Sequence, residues 1–142
     1  MYILDTDLLS LLESASYSPE AQRLRSRLAQ LKREERITTI ITFEEQMRGW
    51  LAYLAQRRTR AQHLAAYERL QEVLARYQKF TVLSYNDRAA DEFERLQKQR
   101  IRIGTMDLKI AAIALANDAT LLTRNTKDFS RVPQLHIEDW SA

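Results

Sequence analysis

Short apolar segments alternate with longer helix-forming segments along this chain, and that alternation restricts the folds open to it. The segments with strand character are 1–4, the β-branched run 37–41, and 80–83, 120–123 and 135–137. Strands separated by helices favour a parallel sheet that is covered on both faces. We therefore predict an α/β domain of three layers, α/β/α, around a central parallel sheet of about five strands.

The longest helical region is predicted at residues 43–78, because no glycine or proline occurs between Gly49 and Gly104. Thr42 would open this region, with Glu45 completing a capping box, and Thr105 would cap a later helix. The charged segment 57–60 is the expected break if the region is a hairpin of two helices. The large apolar side chains of this region are expected to lie mostly in the core: Trp50, Leu51, Tyr53, Leu54, Leu64, Tyr67, Leu70 and Leu74.

The size and composition of the chain suit one globular domain, expected over residues 1–142. A net charge of +3 permits a phosphate-rich partner without requiring one. The absence of cysteine excludes disulfides, thiolate zinc sites and a cysteine nucleophile. No apolar stretch is long enough for a bilayer, and an acid stands at residue 5 where a signal peptide would be basic. We therefore expect a cytoplasmic protein without membrane contact.

Four acids follow the predicted strands or open predicted helices. Asp5 ends the first strand, Glu45 lies in the first turn after the second, Asp128 follows the fourth, and Asp107 opens a helix that packs toward the sheet. Ligands of such sheets bind outside the carboxyl ends of the strands, so we expect these side chains to converge. Each acid also has a plain structural explanation as a helix cap, a partner of the helix dipole or a solvated loop residue.

Converging carboxylates would repel one another unless a cation lay among them. Oxygen-only ligands suit Mg²⁺ or Mn²⁺, and such an ion can polarise a phosphodiester and generate hydroxide. This chemistry requires no histidine. The only histidines, His63 in a helical stretch and His136 in the last strand, are expected to be structural or surface residues.

Four segments of the chain resemble, in order, the motifs of the VapC toxins, which are PIN-domain endoribonucleases. The segments are YILDTDLLS (2–10), ITFEEQMRG (41–49), IGTMDLKIAA (103–112) and LTRNTKDF (122–129). The resemblance runs from residue 2 to about residue 135. It implies a PIN-like fold and Mg²⁺- or Mn²⁺-dependent cleavage of RNA by the toxin of a type II toxin–antitoxin pair. It also implies a cognate antitoxin as partner and favours a homodimer.

Matched motif by motif, the resemblance places Asp5, Glu45 and Asp107 at the three principal acidic positions, which are both catalytic and metal-binding. Asp128 is the fourth candidate for both roles. Asp7 is a departure, because relatives usually carry Asn there, and its extra charge would move or recruit a metal.

The fourth motif contains a second departure. Some relatives have an acid at the position of Asn125, so the fourth ligand would be Asp128, Asn125 through its amide oxygen, or both through water. Thr123 is a supporting candidate whose hydroxyl would orient this loop. Arg124, Lys127 and Arg131 flank the motif and are the candidates for RNA contact.

Two surfaces of the region 43–78 are candidates for contact with a partner molecule. The arginines at 57, 58 and 60 are expected to be solvated surface charge, with an RNA backbone as the alternative contact. Any apolar side chains in excess of what the core takes would form a groove for an antitoxin helix or a homodimer face.

Three other functions are alternatives to the nuclease. A haloacid-dehalogenase-like phosphatase would use Asp5 and Asp7, but Leu9 stands where Thr or Val is expected and no acidic pair accompanies Asp107. A phosphoacceptor receiver would need an Asp at the end of the middle strand, and only Asp87 follows it, past a turn. A catalytically silent PIN-type binding module would not need the acidic set.

Overall fold

Five short strands form one sheet in the computed structural model, which describes residues 1–14 and 17–142. The strands are β1 (Tyr2–Leu4), β2 (Ile37–Thr39), β3 (Thr81–Leu83), β4 (Thr120–Leu122) and β5 (His136–Glu138). Their order across the sheet is β3-β2-β1-β4-β5, and every neighbouring pair is parallel. The predicted parallel sheet of about five strands is confirmed.

Helices occupy both faces of this sheet. They are α1 (Thr6–Glu13), α2 (Pro19–Leu28), α3 (Ile40–Ala55), α4 (Arg60–Tyr77), α5 (Asp87–Lys98), α6 (Thr105–Ala116) and the short α7 (Thr126–Phe129). A 3₁₀ turn at Arg33–Glu35 precedes β2. None of the helices in the described residues is long and apolar enough to cross a membrane.

Successive side chains of the central strands point to opposite faces of the sheet, as strand geometry requires. Ile3 and Leu121 pack into a core formed mainly with α5 and α6, and both are fully buried. Leu4 and Leu122 pack on the other face with side chains of α1 and α2. The predicted α/β/α layering therefore follows from strands that are apolar on both sides, as buried parallel strands are.

The second strand is shorter than predicted, and the helix after it begins earlier. Pairing of β2 with β3 ends at Thr39, opposite Leu83, so Ile40 and Ile41 have no strand partner there and form the first turn of α3. Thr39 is the N-cap, and its hydroxyl accepts from the Thr42 N–H at 3.1 Å. The predicted capping box is therefore wrong, because position 45 lies beyond the first turn.

The other predicted boundaries shift by one or two residues. Gly104 is the N-cap of α6 and makes no side-chain cap, so Thr105 is its first helical residue and not its cap. The predicted break in the long helical region is confirmed: α3 ends at Ala55, and α4 begins after Thr59, which forms a capping box with Gln62.

The prediction that the large apolar side chains of this hairpin lie mostly in the core is wrong. None of the eight is buried, and five of them are exposed: Leu51, Tyr53, Leu64, Tyr67 and Leu74. The buried side of α4 consists of Ala66, Val73 and Tyr77 instead. The hairpin forms an outer layer of the domain, so only one side of each helix meets the core.

Candidate active site

The centre of the sheet is where its connections change direction. From β1 the chain proceeds to β2 and β3 on one side, and it then returns to place β4 and β5 on the other side. Ligands of α/β sheets bind in the crevice outside the carboxyl ends of the strands at such a switch point. The residues that follow β1 and β4 are Asp5 and Thr123, so these two side chains face each other at the crevice.

Asp5 is a buried carboxyl, with only 4% of its surface exposed. Its Oδ2 accepts from the Thr123 hydroxyl at 2.8 Å, and its Oδ1 accepts from the Thr6 N–H at 2.8 Å, where it serves as N-cap of α1. Burial, followed by the negative charge of Asp7, raises the pKa of Asp5 to about 7. The structure therefore stores unfavourable electrostatic energy at this residue, which a nearby cation would relieve.

Asp7 lies in the first turn of α1 and connects the first sequence motif to the fourth by a hydrogen bond. Its Oδ2 accepts from the backbone N–H of Arg124 at 3.0 Å. The hydroxyl of Thr123 lies 3.4 and 3.5 Å from the two oxygens of Asp7, which is longer than its bond to Asp5. The same hydroxyl accepts from the Asn125 N–H at 3.0 Å. The Thr123 hydroxyl is thus hydrogen-bonded both to Asp5 and to the backbone of the loop that follows β4. Burial raises the pKa of Asp7.

Glu45 reaches the crevice from the second turn of α3. Its Oε1 accepts from the Thr6 hydroxyl at 2.7 Å, and that hydroxyl also lies 3.3 Å from the hydroxyl of Thr42. Glu45 is therefore held by the residue that follows Asp5, and not by the start of its own helix. The neighbouring Glu44 is instead paired with Arg48 on the outer side of α3.

Asp107 lies in the first turn of α6 and interacts electrostatically with the other acids. Partial burial and then the negative charges of Glu45, Asp128 and Asp7 together raise the pKa of Asp107 to about 6. The charge of Asp107 in turn raises the pKa of Asp5. The electrostatic interactions of Asp107 with Asp5, Asp7, Glu45 and Asp128 indicate that these acids lie near one another.

Asp128 lies in the short helix α7, where the sequence suggested a loop. Its Oδ2 accepts from the side-chain amide of Asn125 at 3.2 Å, and its Oδ1 lies 3.7 Å from the guanidinium of Arg131. Arg131 also donates to the backbone carbonyl of Arg102 at 2.7 Å. Asp128 and Asn125 therefore lie side by side at the crevice, while Arg131 is engaged by groups of the protein itself.

The chemistry of these donors fits a hard divalent ion. All of them offer oxygen, several are partly withdrawn from water, and neighbouring acids help to raise the pKa values of Asp5 and Asp107. Their present positions do not yet enclose an ion, since no three His, Asp or Glu side chains of residues 1–14 and 17–142 are placed to hold one together.

The two histidines lie outside this crevice. The Nε2 atom of His63 is 2.8 Å from the Arg57 carbonyl on the outer helical hairpin, and His136 is an exposed residue of β5. Arg124 follows β4 and Lys127 lies in α7, and both residues are exposed.

Comparison with known proteins identifies the family. The PIN domain family model matches residues 2–135. The chain belongs to the PIN-domain family. This match agrees with the fold and gives no support to a haloacid-dehalogenase-like phosphatase or a receiver.

Relatives of this PIN domain include proteins named as VapC ribonucleases. Ribonuclease VapC1 of Haemophilus influenzae (strain R2866) is 30% identical over 146 residues, covering 99% of this chain and 98% of that protein. Ribonuclease VapC2 of Rickettsia felis is 47% identical over 45 residues, and ribonuclease VapC of Rickettsia bellii is 50% identical over 44. Those two matches span about a third of each Rickettsia protein, 34% and 33%.

Solved structures share the fold over the whole chain. VapBC-1 from nontypeable Haemophilus influenzae has a TM-score of 0.70 at 28% identity, with 99% of this chain and 98% of the other covered. DNA-bound VapBC from Salmonella typhimurium has a TM-score of 0.75 at 23% identity, which is a likeness of fold.

Thr6 is the site residue that sequence reasoning missed. Thr6 was not a candidate because a threonine that follows an acidic residue does not by itself indicate a functional site. One signal was available: Thr6 directly follows the acid that ends the central strand, so its side chain had to lie beside the crevice.

Proposed function

We propose that this PIN domain is a metal-dependent endoribonuclease, and that it acts as the toxin of a toxin–antitoxin pair. The observation that carries the proposal is the all-oxygen acidic set at the switch point, in which Asp5 and Asp107 have pKa values raised by burial and by neighbouring acids. The end-to-end similarity to ribonuclease VapC1 of Haemophilus influenzae supports RNA as the substrate.

Asp5, Glu45, Asp107 and Asp128 are the residues that would hold Mg²⁺ or Mn²⁺. Such an ion, when bound, polarises the phosphodiester and lowers the pKa of a water. The protein residues supply the positioning: Thr123 and the Thr6 N–H fix Asp5, and the Thr6 hydroxyl fixes Glu45. Asp7 holds the loop that follows β4 through the Arg124 N–H.

The substrate backbone would be held by cations that border the acids. Arg124 and Lys127 are both exposed. In the described part of the chain, neither of them forms a salt bridge with an acidic side chain. Arg131 is paired with Asp128, so its main effect would be on the position of the Asp128 side chain. Removing a phosphate contact should weaken binding to all RNA sequences alike and reduce the salt dependence of binding.

A protein partner would cover the outer helical hairpin. Between α3 and α4 lies an apolar groove of about 370 Å³, lined by Phe43, Met47, Tyr67, Leu70, Gln71 and Leu74. Exposed apolar surface of this kind is typical of protein interaction sites, and an amphipathic antitoxin helix or a second copy of the chain would fit it. The VapBC complexes with the same fold support an antitoxin as one partner.

The experiment that tests the proposal is cleavage of RNA by the purified protein, with end mapping. Cleavage should require added Mg²⁺ or Mn²⁺ and should stop with EDTA; undiminished cleavage in EDTA would overturn the metal mechanism. No cleavage with either ion would favour the silent PIN-type module, and covalent capture of phosphate on Asp5 would favour the phosphatase. In cells, growth arrest should follow expression of the chain alone and be relieved by the protein encoded beside it.

A further inference from the structure

A cavity of about 400 Å³ opens directly beside Glu45, between α1 and α3. It is lined along α3 by Glu45, Gln46, Gly49, Trp50 and Tyr53, which share one side of the helix. Trp50 lies five residues beyond Glu45, which corresponds to about 7.5 Å along the helix axis. The cavity is therefore continuous with the acidic crevice and leads away from it to an aromatic pair.

The aromatic pair is open to solvent on the side of the cavity. Tyr53 is 41% exposed, and the ring of Trp50 lies at 5.6 Å from that of Tyr53, nearly perpendicular to it. The guanidinium carbon of Arg57 lies 4.0 Å from the centroid of the Tyr53 ring, so a cation lies against one of the rings that line the cavity. Aromatic side chains flanked by arginine are the usual stacking platform for bases of single-stranded nucleic acid.

Gln46 is another residue that lines the same cavity. It is 8% exposed, and the Tyr77 hydroxyl donates to its Oε1 at 2.6 Å, which fixes the amide. Its Nε2 is buried and has no partner among the described residues. A buried donor without an acceptor is costly, and a carbonyl oxygen or ring nitrogen of a bound base would satisfy it.

We propose that this cavity is a nucleobase subsite, which takes one unpaired base of single-stranded RNA next to the phosphodiester that is cut. Trp50 stacks on the base, Gln46 donates to an acceptor on its edge, and Arg57 lies near the following phosphate. The inference rests on the proposed ribonuclease function. RNA is favoured over a protein segment because the cavity reaches Glu45, is lined by Gln46 with its unpaired side-chain donor, and has Arg57 against its aromatic wall.

The test is binding of a mixed-sequence single-stranded RNA decamer in EDTA, which prevents metal-dependent cleavage. The chain has two tryptophans and Trp140 is only 8% exposed, so stacking should quench the fluorescence of Trp50. Trp50→Leu should abolish that quenching, weaken binding by about 5- to 150-fold, and leave its salt dependence unchanged. Trp50→Phe, which keeps a ring, should retain most of the affinity.

Two controls make the result specific. Leu51→Ala changes the adjacent residue, which is 53% exposed and does not line the cavity, and should bind RNA as the wild type does. An abasic RNA of equal length should bind the wild type as weakly as the normal decamer binds Trp50→Leu, a comparison that needs no folded variant.

The outcomes separate the subsite from the enzyme. If the wild type binds and cuts RNA while Trp50→Leu and the abasic RNA show no loss of affinity, the base subsite is wrong and the ribonuclease proposal stands. That result would leave the aromatic pair to a protein partner. If the wild type neither binds RNA nor cuts it with Mg²⁺ or Mn²⁺, both proposals fail together.

Discussion

The Thr6 hydroxyl donates to Oε1 of Glu45 at 2.7 Å and joins the end of the central strand to the helix α3. Thr6 follows Asp5, whose Oδ1 accepts from the Thr6 N–H. One residue therefore fixes two of the four proposed metal ligands, one through its backbone and the other through its side chain.

Replacement of Thr6 tests that positioning role. Thr6→Val keeps the shape and the backbone N–H but removes the hydroxyl, so Glu45 loses a hydrogen bond to a charged group that is worth about 1.5–3 kcal/mol. We expect kcat/KM for RNA cleavage to fall by about tenfold or more, with a higher metal concentration needed for half-maximal activity. Thr6→Ser should restore both; if Val and Ser variants cleave equally well, the hydroxyl has no positioning role.

Glu45→Gln separates metal binding from any structural role. Thr39 and not Glu45 caps α3, so the metal-free variant should unfold at nearly the wild-type temperature. A neutral amide is a poor ligand for a hard dication, so metal-induced stabilisation should weaken and cleavage should fall by at least about a hundredfold. The matched control is Glu44→Gln on the outer side of the same turn. If Glu45→Gln keeps full activity and Glu44→Gln loses it, then Glu44 and not Glu45 is the metal ligand.

Asp5→Asn and Asp107→Asn should each abolish RNA cleavage and growth inhibition, because each removes a charge from the proposed metal site. The fold should persist, since the amide keeps an oxygen that can accept the bond donated to Asp5 by the Thr6 N–H. Circular dichroism and thermal unfolding measure the fold beside the cleavage assay. Asp91→Asn, at an exposed position of α5, is the control. A toxic and active Asp5→Asn variant would refute the assignment.

The raised pKa of Asp5 predicts the pH dependence of stability. An unfolded Asp loses its proton near pH 4, whereas in the fold Asp5 retains its proton up to about pH 7. Between these values the folded state binds more protons, so the free energy of unfolding of the metal-free protein falls as pH rises. In urea unfolding, the free energy of unfolding of Asp5→Asn relative to that of the wild type should increase from pH 4 to 7, by on the order of a few kcal/mol. Above pH 7 the difference should stay constant. Parallel curves for the two proteins would contradict the raised pKa.

The fourth ligand can be assigned by comparing Asp128 with Asn125, which are hydrogen-bonded at 3.2 Å. If the two share the role, Asp128→Asn should reduce cleavage less than Asp107→Asn does, and the double variant with Asn125→Ala should lose more than either single variant. Metal titrations of activity measure this. A loss at Asp128 equal to that at Asp107, with no effect at Asn125, would make Asp128 the full ligand.

Much of the fold could be predicted because its signals are local. Strands that are apolar on both faces, separated by helical segments, indicated the parallel sheet, and a charged segment marked the end of α3 near Ala55. The rule that ligands bind at the carboxyl ends of strands then predicted a crevice beside Asp5, which ends the first strand. Neither step requires knowledge of which strand pairs with which.

The errors came from pairings that are distant in sequence. Ile40 has the β propensity of a strand residue, but the strand ends at Thr39 because β3 offers no partner beyond Leu83. The leucines and tyrosines of the hairpin suggested core, yet their burial depends on which elements lie outside them. A periodic pattern shows that a helix has an apolar side and does not show what covers it.

The sequence by itself determined the layered sheet, the order of its acids along the chain and the family to which the chain belongs. Only the tertiary structure decided which groups meet: Thr6 with Glu45, Thr123 with Asp5, and Gln46 with Tyr77. Secondary structure depends mainly on residues that are close together in the sequence. Side-chain hydrogen bonds and charge–charge interactions depend instead on distances in space. That distance is set by the order of the strands in the sheet and by the residue at which each helix leaves it.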